Sequence, residues 1–292
     1  MFELRRLRML HELALRGTLA AVADALAYSP STISQQLALL EREAGVSLFE
    51  PDGRGVRLTA QGRLLAAHAE RAIELDEAAR VELERLVPSA TPVRVAVMQT
   101  AAQAILGPAL SLLAGSDPDL RVDVAEVPPE EGLFELSARR FDLVVAEQYP
   151  GSARAHRADL DREVIGHDPI RLALPPDETI ASLADLRDHA WVMEPRGTAA
   201  RSWALDQCRA AGFEPDVRFE IADLTVQVSL IAAGRAVGLL PDLVWGDAPP
   251  RARLVDLPQA PTRELFTAAR RSAAARPGIV HVRDALRRAF PA

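Results

Sequence analysis

Apolar positions at Leu4, Leu7, Leu10 and Ala14, with Leu13 beside them, fall at helical spacing and predict a helix over residues 3–16 that Gly17 ends. Thr18 is placed to cap a second helix, whose small residues Ala20, Ala21, Ala23 and Ala25 let a neighbour approach closely before it closes at Leu26. After Ala27 and Tyr28, Ser29 stands where an N-cap belongs. Pro30 occupies the first helical position, where a missing N–H costs nothing. This third helix runs to about Glu43 with Ile33, Leu37 and Leu40 facing inward, and its other face opens with the short uncharged side chains of Ser31, Thr32, Ser34 and Gln35. Gly45 stops it. Residues 46–49 and 56–58 then read as two short strands around the turn 51–55, a wing with Arg54 near its tip.

The pattern lengthens next. Thr59 caps a helix running to about Val87, in which Gly62 is a weak point worth about 1 kcal/mol relative to Ala. Leu65, Ala72, Ala79 and Leu86 recur every seven residues, with Leu75 on the same stripe, which predicts a two-helix seam. Pro88 and Pro92 bracket a hinge. From Val93 the period changes to alternating strands (93–97, 122–126, 143–146, 170–174, 191–193, 217–221, 237–240, 265–269) and helices (101–114, 132–138, 199–211, 224–233, 279–289). That rhythm implies a mainly parallel sheet with helices on both faces.

Composition narrows the function. All 34 basic residues of the 292 are Arg, and the net charge of −7 does not advertise nucleic-acid binding. Up to Leu58 seven Arg face seven acids, so any contact with DNA must come from arrangement rather than net charge. The single cysteine, Cys208, cannot form an internal disulfide and reads as a packing residue. The histidines are scattered without metal-ligand spacing. No glycine-rich phosphate loop and no G-x-S-x-G elbow is found, and the carboxylate pairs Glu130–Glu131 and Asp159/Asp161 read as solvated loop residues. Neither enzyme activity, metal nor cofactor is expected. With no apolar run near 18 residues and no signal-like N-terminus, neither a membrane partner nor export is expected, and the expected location is the cytoplasm.

The stretch LRRLRMLHELALRGTLAAVADALAYSPSTISQQLALLEREAGVSLFEPDGRGVRLTAQG resembles the N-terminal domain of LysR-type transcriptional regulators nearly end to end. SPSTISQQL, LERE-GVSLFE and GRGVRLTAQG are its most specific pieces. Farther on, ADLRDHAWVMEPRGT and IAAGRAVGLLP resemble the family's effector domain, so the likeness covers almost the whole chain. Two departures, Gln35 and Pro51 where arginines are usual, remove positive charge near DNA.

The resemblance implies an N-terminal all-α winged helix-turn-helix (residues 1–58), a linker and dimerisation helix (59–87) and a hinge (88–92). An α/β two-lobed, periplasmic-binding-protein-like effector domain follows (93–292), with lobe I at about 93–167 and 266–292 and lobe II at about 168–265. It implies that the linker helix pairs two copies, with a tetramer beyond. The expected partners are double-stranded promoter DNA, a small-molecule effector and RNA polymerase. Ser31, Thr32, Ser34 and Gln35 would read base edges, while Ser29, Pro30 and Arg54 would position the backbone. Ligands of open α/β sheets sit outside strand C-termini, where helix N–H groups point. That rule, with the resemblance, singles out Gln99, Thr100, Arg196, Gly197, Thr198 and Asp223 for an effector such as a carboxylate or an amino acid. The competing reading is a small-molecule-binding protein or enzyme built on the C-terminal lobes, which leaves the first 58 residues unexplained. A structural interaction protein is the third.

Overall fold

The computed structural model describes residues 1–53, 55–86, 91–151, 159–180 and 182–291. Arg54, the last residue of the expected linker helix (Val87) and residues 88–90 of the expected hinge lie outside them. The chain divides into two compact units, one of residues 1–89 with 137–140 and 272–277, the other of the remainder.

The first unit is built on α1 (Leu4–Arg16), α2 (Leu19–Leu26) and α3 (Pro30–Ala44). Each boundary follows a local signal. Gly17 and Gly45 take left-handed backbones at the C-termini of α1 and α3, and Thr18 and Ser29 cap α2 and α3 through their side chains. Leu7, Leu10, Leu13, Val22, Ile33, Leu37 and Leu40 close a core against one another. The wing pairs β1 (Phe49–Asp52) with β2 (Gly55–Leu58), Phe49 opposite Leu58 and Asp52 opposite Gly55. Its first strand starts later than expected, because Glu41 on α3 accepts the backbone N–H of Leu48 at 2.8 Å and holds that segment against the helix instead.

The long helix α4 spans Ala60–Leu86. Thr59 caps it, accepting the Gly62 N–H at 3.0 Å. The expected seam is corrected at its start: Leu65 and Ala72 pack on the core of their own unit, whereas Leu75, Ala79 and Leu86 lie off that core, with Leu75 and Leu86 exposed. A straight helix drifts about 20° per heptad, so a strict seven-residue stripe that begins on the core turns progressively away from it. The exposed apolar face is carried by Leu64, Leu75, Leu83 and Leu86.

The second unit holds a seven-stranded sheet in the order β10-β6-β11-β5-β3-β4, with β9 also on β6. Its strands are β3 (Val93–Val97), β4 (Val122–Glu126), β5 (Leu143–Gln148), β6 (Leu160–Leu174), β9 (Gly238–Pro241), β10 (Arg253–Asp256) and β11 (Thr262–Arg270). A separate parallel pair joins β7 (Ala190–Met193) to β8 (Asp216–Glu220). The expectation of a mainly parallel sheet is corrected. β3 pairs parallel with β4 and β5, but β11 runs antiparallel to β5 and β6, and β6 runs antiparallel to β9 and β10. The reason is the 15-residue strand β6, whose first ten residues gave no alternating signal and which continues from one group of strands into the next.

The helices are α5 (Gln99–Ala101), a π turn over Ala102–Leu106, α6 (Gly107–Ser116), α7 (Pro129–Ser137), α8 (Ala199–Ala210), α9 (Leu224–Ala232) and α10 (Pro277–Arg288). Glu130 and Glu131 are corrected from loop to the first turn of α7, where carboxylates suit the helix dipole. Asp161 is a strand residue of β6 that accepts from Arg283 at 2.7 Å. Trp191, fully buried, packs on Phe213 with ring centroids 6.0 Å apart and centres the core that also holds Cys208.

Candidate nucleic-acid interface and ligand cleft

The N-terminal end of α3 is presented to solvent by its own core. Ile33, Leu37 and Leu40 are wholly buried, which fixes the helix's roll and leaves Ser31, Ser34 and Gln35 exposed, with Thr32 half-buried beside them. Ser29 accepts the Thr32 N–H at 3.1 Å, and its hydroxyl lies 2.8 Å from both the Ser31 and the Thr32 hydroxyl. Pro30 occupies the first helical position. Gln36 is turned away and accepts from Arg6 Nε at 3.1 Å. Arg5 lies over the Tyr28 ring, 4.9 Å from its centroid, and covers the turn leading into α3. A helix end of this kind offers hydroxyl and amide groups that both donate and accept, which suits base edges in a groove.

The second site is a cleft of about 480 Å³ in the second unit. Gln99, Thr100, Thr198 and Asp223 line it; Arg196 and Gly197 do not. The Arg196 side chain is 85% exposed and lies 3.7 Å from Glu220, while Gly197 supplies a left-handed turn before the cap Thr198, which accepts the Arg201 N–H at 3.2 Å. Gln99 spans the cleft. Its Nε2 donates to Asp223 Oδ1 at 2.7 Å, and its Oε1 accepts the Leu224 N–H at 3.0 Å. The hydrogen bond from Gln99, with the Thr225 N–H, holds the Asp223 carboxyl below its ordinary range.

Residues that the sequence reading passed over dominate the floor. Arg263 on β11, 2% exposed, donates to Asp168 Oδ2 at 2.9 Å, to Glu147 and to Thr100 Oγ1 at 2.8 Å. Burial works against its charge, but Glu147 and Asp168 outweigh it and hold the guanidinium protonated. Burial likewise pushes the Asp168 carboxyl up while Arg263 pulls it back. Glu126, Glu130 and Glu194 complete the polar lining, with Met98, Val127, Pro128, Pro129, Pro195 and Leu224 between them. The Glu194 carboxyl is pushed up to about 7, by burial first and by repulsion from Glu147 next. Glu147 and Glu194 stand at or just beyond strand C-termini, where open α/β sheets bind ligands, and that position was the available signal.

Among the described residues, no three His, Cys, Asp or Glu side chains form a metal-holding group, and no helix is long and apolar enough to cross a membrane. Cys208 is fully buried, and burial pushes its thiol up to about 12.

Two family models match the chain. "Bacterial regulatory helix-turn-helix protein, lysR family" covers residues 4–63, and "LysR substrate binding domain" covers residues 88–291. Similar curated proteins include the transcriptional dual regulator GltC of Bacillus subtilis, 29% identical over 255 residues (85% of this chain, 84% of that protein). The transcriptional dual regulator OxyR of Escherichia coli is 27% identical over 264 residues (87% and 84%). The fold is shared with a full-length OxyR variant from Pseudomonas aeruginosa at a TM-score of 0.71, with 22% identity and 98% and 95% coverage. Full-length CbnR in complex with its target DNA matches at a TM-score of 0.55, with 23% identity and 99% and 100% coverage.

Proposed function

Because this chain belongs to the LysR family of bacterial helix-turn-helix regulators, we propose that it is a sequence-specific DNA-binding transcriptional regulator controlled by a small molecule held in the cleft of its second unit. The observation that carries this reading is the outward polar end of α3, whose roll is set by three wholly buried side chains. Ser31, Thr32, Ser34 and Gln35 read base edges in a major groove; Ser29 and Pro30 set the helix end against phosphate. Arg54, outside the described residues, is assigned to the DNA backbone on its place in the sequence. Glu50 pairs with Arg57 on the wing, so little net positive charge remains there and affinity rests on directed contacts more than on counterion release.

Two copies pair through the exposed apolar face of α4, and dimers assemble into a tetramer that places recognition helices in successive grooves. Effector binding shifts the arrangement of the copies and thereby the access of RNA polymerase to the promoter. Such a shift requires a ligand that prefers one arrangement. The protein acts in the cytoplasm, catalyses no reaction and takes no cofactor. Cys208 is not a thiol sensor, since a buried thiol so hard to ionise supplies no thiolate at neutral pH.

Footprinting the purified full chain on fragments of its own genome tests the reading. Protection of discrete sites, with a boundary that moves when a metabolite extract is added, is the expected result. Uniform weak protection of all fragments, with and without extract, would overturn it.

A further inference from the structure

The cleft is a site by its volume of about 480 Å³ and its place within the matched substrate-binding domain. What it can hold is decided by which of its polar groups are already used. Among the described residues, Arg263 is the single cationic side chain in its lining, and its charge is already paired: Glu147 and Asp168 both face it, and Glu147, Asp168 and Thr100 accept from its Nη1, Nε and Nη2. Three of the helix N–H groups near the cleft are engaged as well. Leu224 N–H goes to Gln99, Thr225 N–H to Asp223 and Arg201 N–H to Thr198. An incoming carboxylate would meet no available cation and would face Glu126, Glu130, Glu147, Glu194 and Asp223. Repulsion from these carboxylates works against it.

We propose that the cleft selects a small cationic amine, a protonated amino or guanidino group on a short apolar stem, with Glu194 as its principal carboxylate. The proposal rests on the cleft being the effector site. The apolar side chains of Met98, Val127, Pro195 and Leu224 receive the stem, and the carboxylates of Glu194 and Glu147 receive the cationic head. Glu194 faces Glu147 from β5, Glu130 from α7, Arg263 from β11 and the Thr198 side chain at the start of α8. Two of these carboxylates repel its charge. A cation placed among them relieves that repulsion, so binding expels the proton from Glu194.

Calorimetric titration of the full chain with 1,4-diaminobutane and agmatine, set against succinate, the four-carbon dianion matched to 1,4-diaminobutane, tests this. At least one amine binds and succinate does not. With the Glu194 carboxyl near 7 in the free protein, amine affinity falls about tenfold from pH 8 to pH 6, as protons compete for the carboxylate. Glu194→Gln, a same-size change at a half-buried position, weakens amine binding about tenfold or more and flattens that pH dependence. Circular dichroism and an unchanged melting temperature confirm its fold. If succinate binds and the amines do not, the ligand class is wrong while the cleft remains the effector site. If no amine binds, or Glu194→Gln leaves binding and its pH dependence intact, the proposal falls, and the effector reading then stands or falls on the metabolite-dependent footprint.

Discussion

Gly62 lies flat against the backbone of Leu48: a Cβ at position 62 would sit 2.9 Å from the Leu48 carbonyl carbon and closer still to its oxygen. The first turn of α4 is thereby seated on the segment leading into the wing, with Thr59 N–H donating to the same Leu48 carbonyl at 3.0 Å. An exposed helical glycine replaced by alanine gains about 1 kcal/mol. Here the sign reverses. Gly62→Ala is expected to destabilise the first unit by about 1–3 kcal/mol, the cost of overpacking a tight contact. Denaturant unfolding gives the sign directly, and a stabilised variant would refute the close approach.

Gln35 is exposed on the polar face of α3, whereas its neighbour Gln36 is engaged by Arg6. Gln35→Ala is expected to lose about 1–3 kcal/mol of discrimination between operator and scrambled DNA, because one directed base contact is removed. Non-specific affinity stays close to wild type. Fluorescence anisotropy with both DNAs measures the ratio, and an unchanged ratio removes Gln35 from the base-reading set.

Leu75 and Leu86 are 73% and 79% exposed on α4. Leu75→Glu places a charge in the proposed seam of both copies. At roughly 1.5–3 kcal/mol per leucine no longer buried, the dimer dissociation constant should rise at least about a hundredfold. Light scattering after size exclusion reports the mass. A Leu75→Glu protein of unchanged mass across dilution would relocate the interface.

His11 is 6% exposed, its Nε2 has no hydrogen-bond partner among the described residues, and burial pushes its pKa down to about 4. The unfolded chain therefore binds the extra proton first, at about pH 6.5. Stability is complete above that value and is lost as the pH falls from about 6.5 towards 4. At pH 5 the loss amounts to about 2 kcal/mol. His11→Leu should abolish this part of the acid sensitivity. Unfolding at pH 7 and pH 5 for both proteins checks it; equal losses would mean that His11 is not the titrating group.

Cys208 is expected to resist both alkylation and peroxide while the protein is folded, because the reactive species is the thiolate. Thiol-reagent labelling in native buffer and in denaturant should differ strongly. Fast native labelling, or DNA affinity that responds to peroxide, would show that burial does not protect it.

The boundaries of α2, α3 and α4 were legible because caps, glycine stops and helical periodicity act over three or four residues, and the same short-range chemistry turned Ser31, Ser34 and Gln35 outward. Such signals need no distant partner. Two things did require the tertiary structure. β6 presents charged residues such as Asp161, Glu163 and Arg162 that read as loop until Arg283 and β11 neutralise and pair them. The character of the cleft is set by Thr100, Glu147, Asp168, Glu194 and Arg263, which come from separate strands and loops and meet only on folding. Gln99 and Asp223 were recognisable as polar residues at helix starts, yet that they satisfy each other across the cleft follows from a contact spanning 124 positions. Local order is written in neighbouring residues, whereas the charge a ligand meets depends on which distant groups neutralise one another in the folded chain.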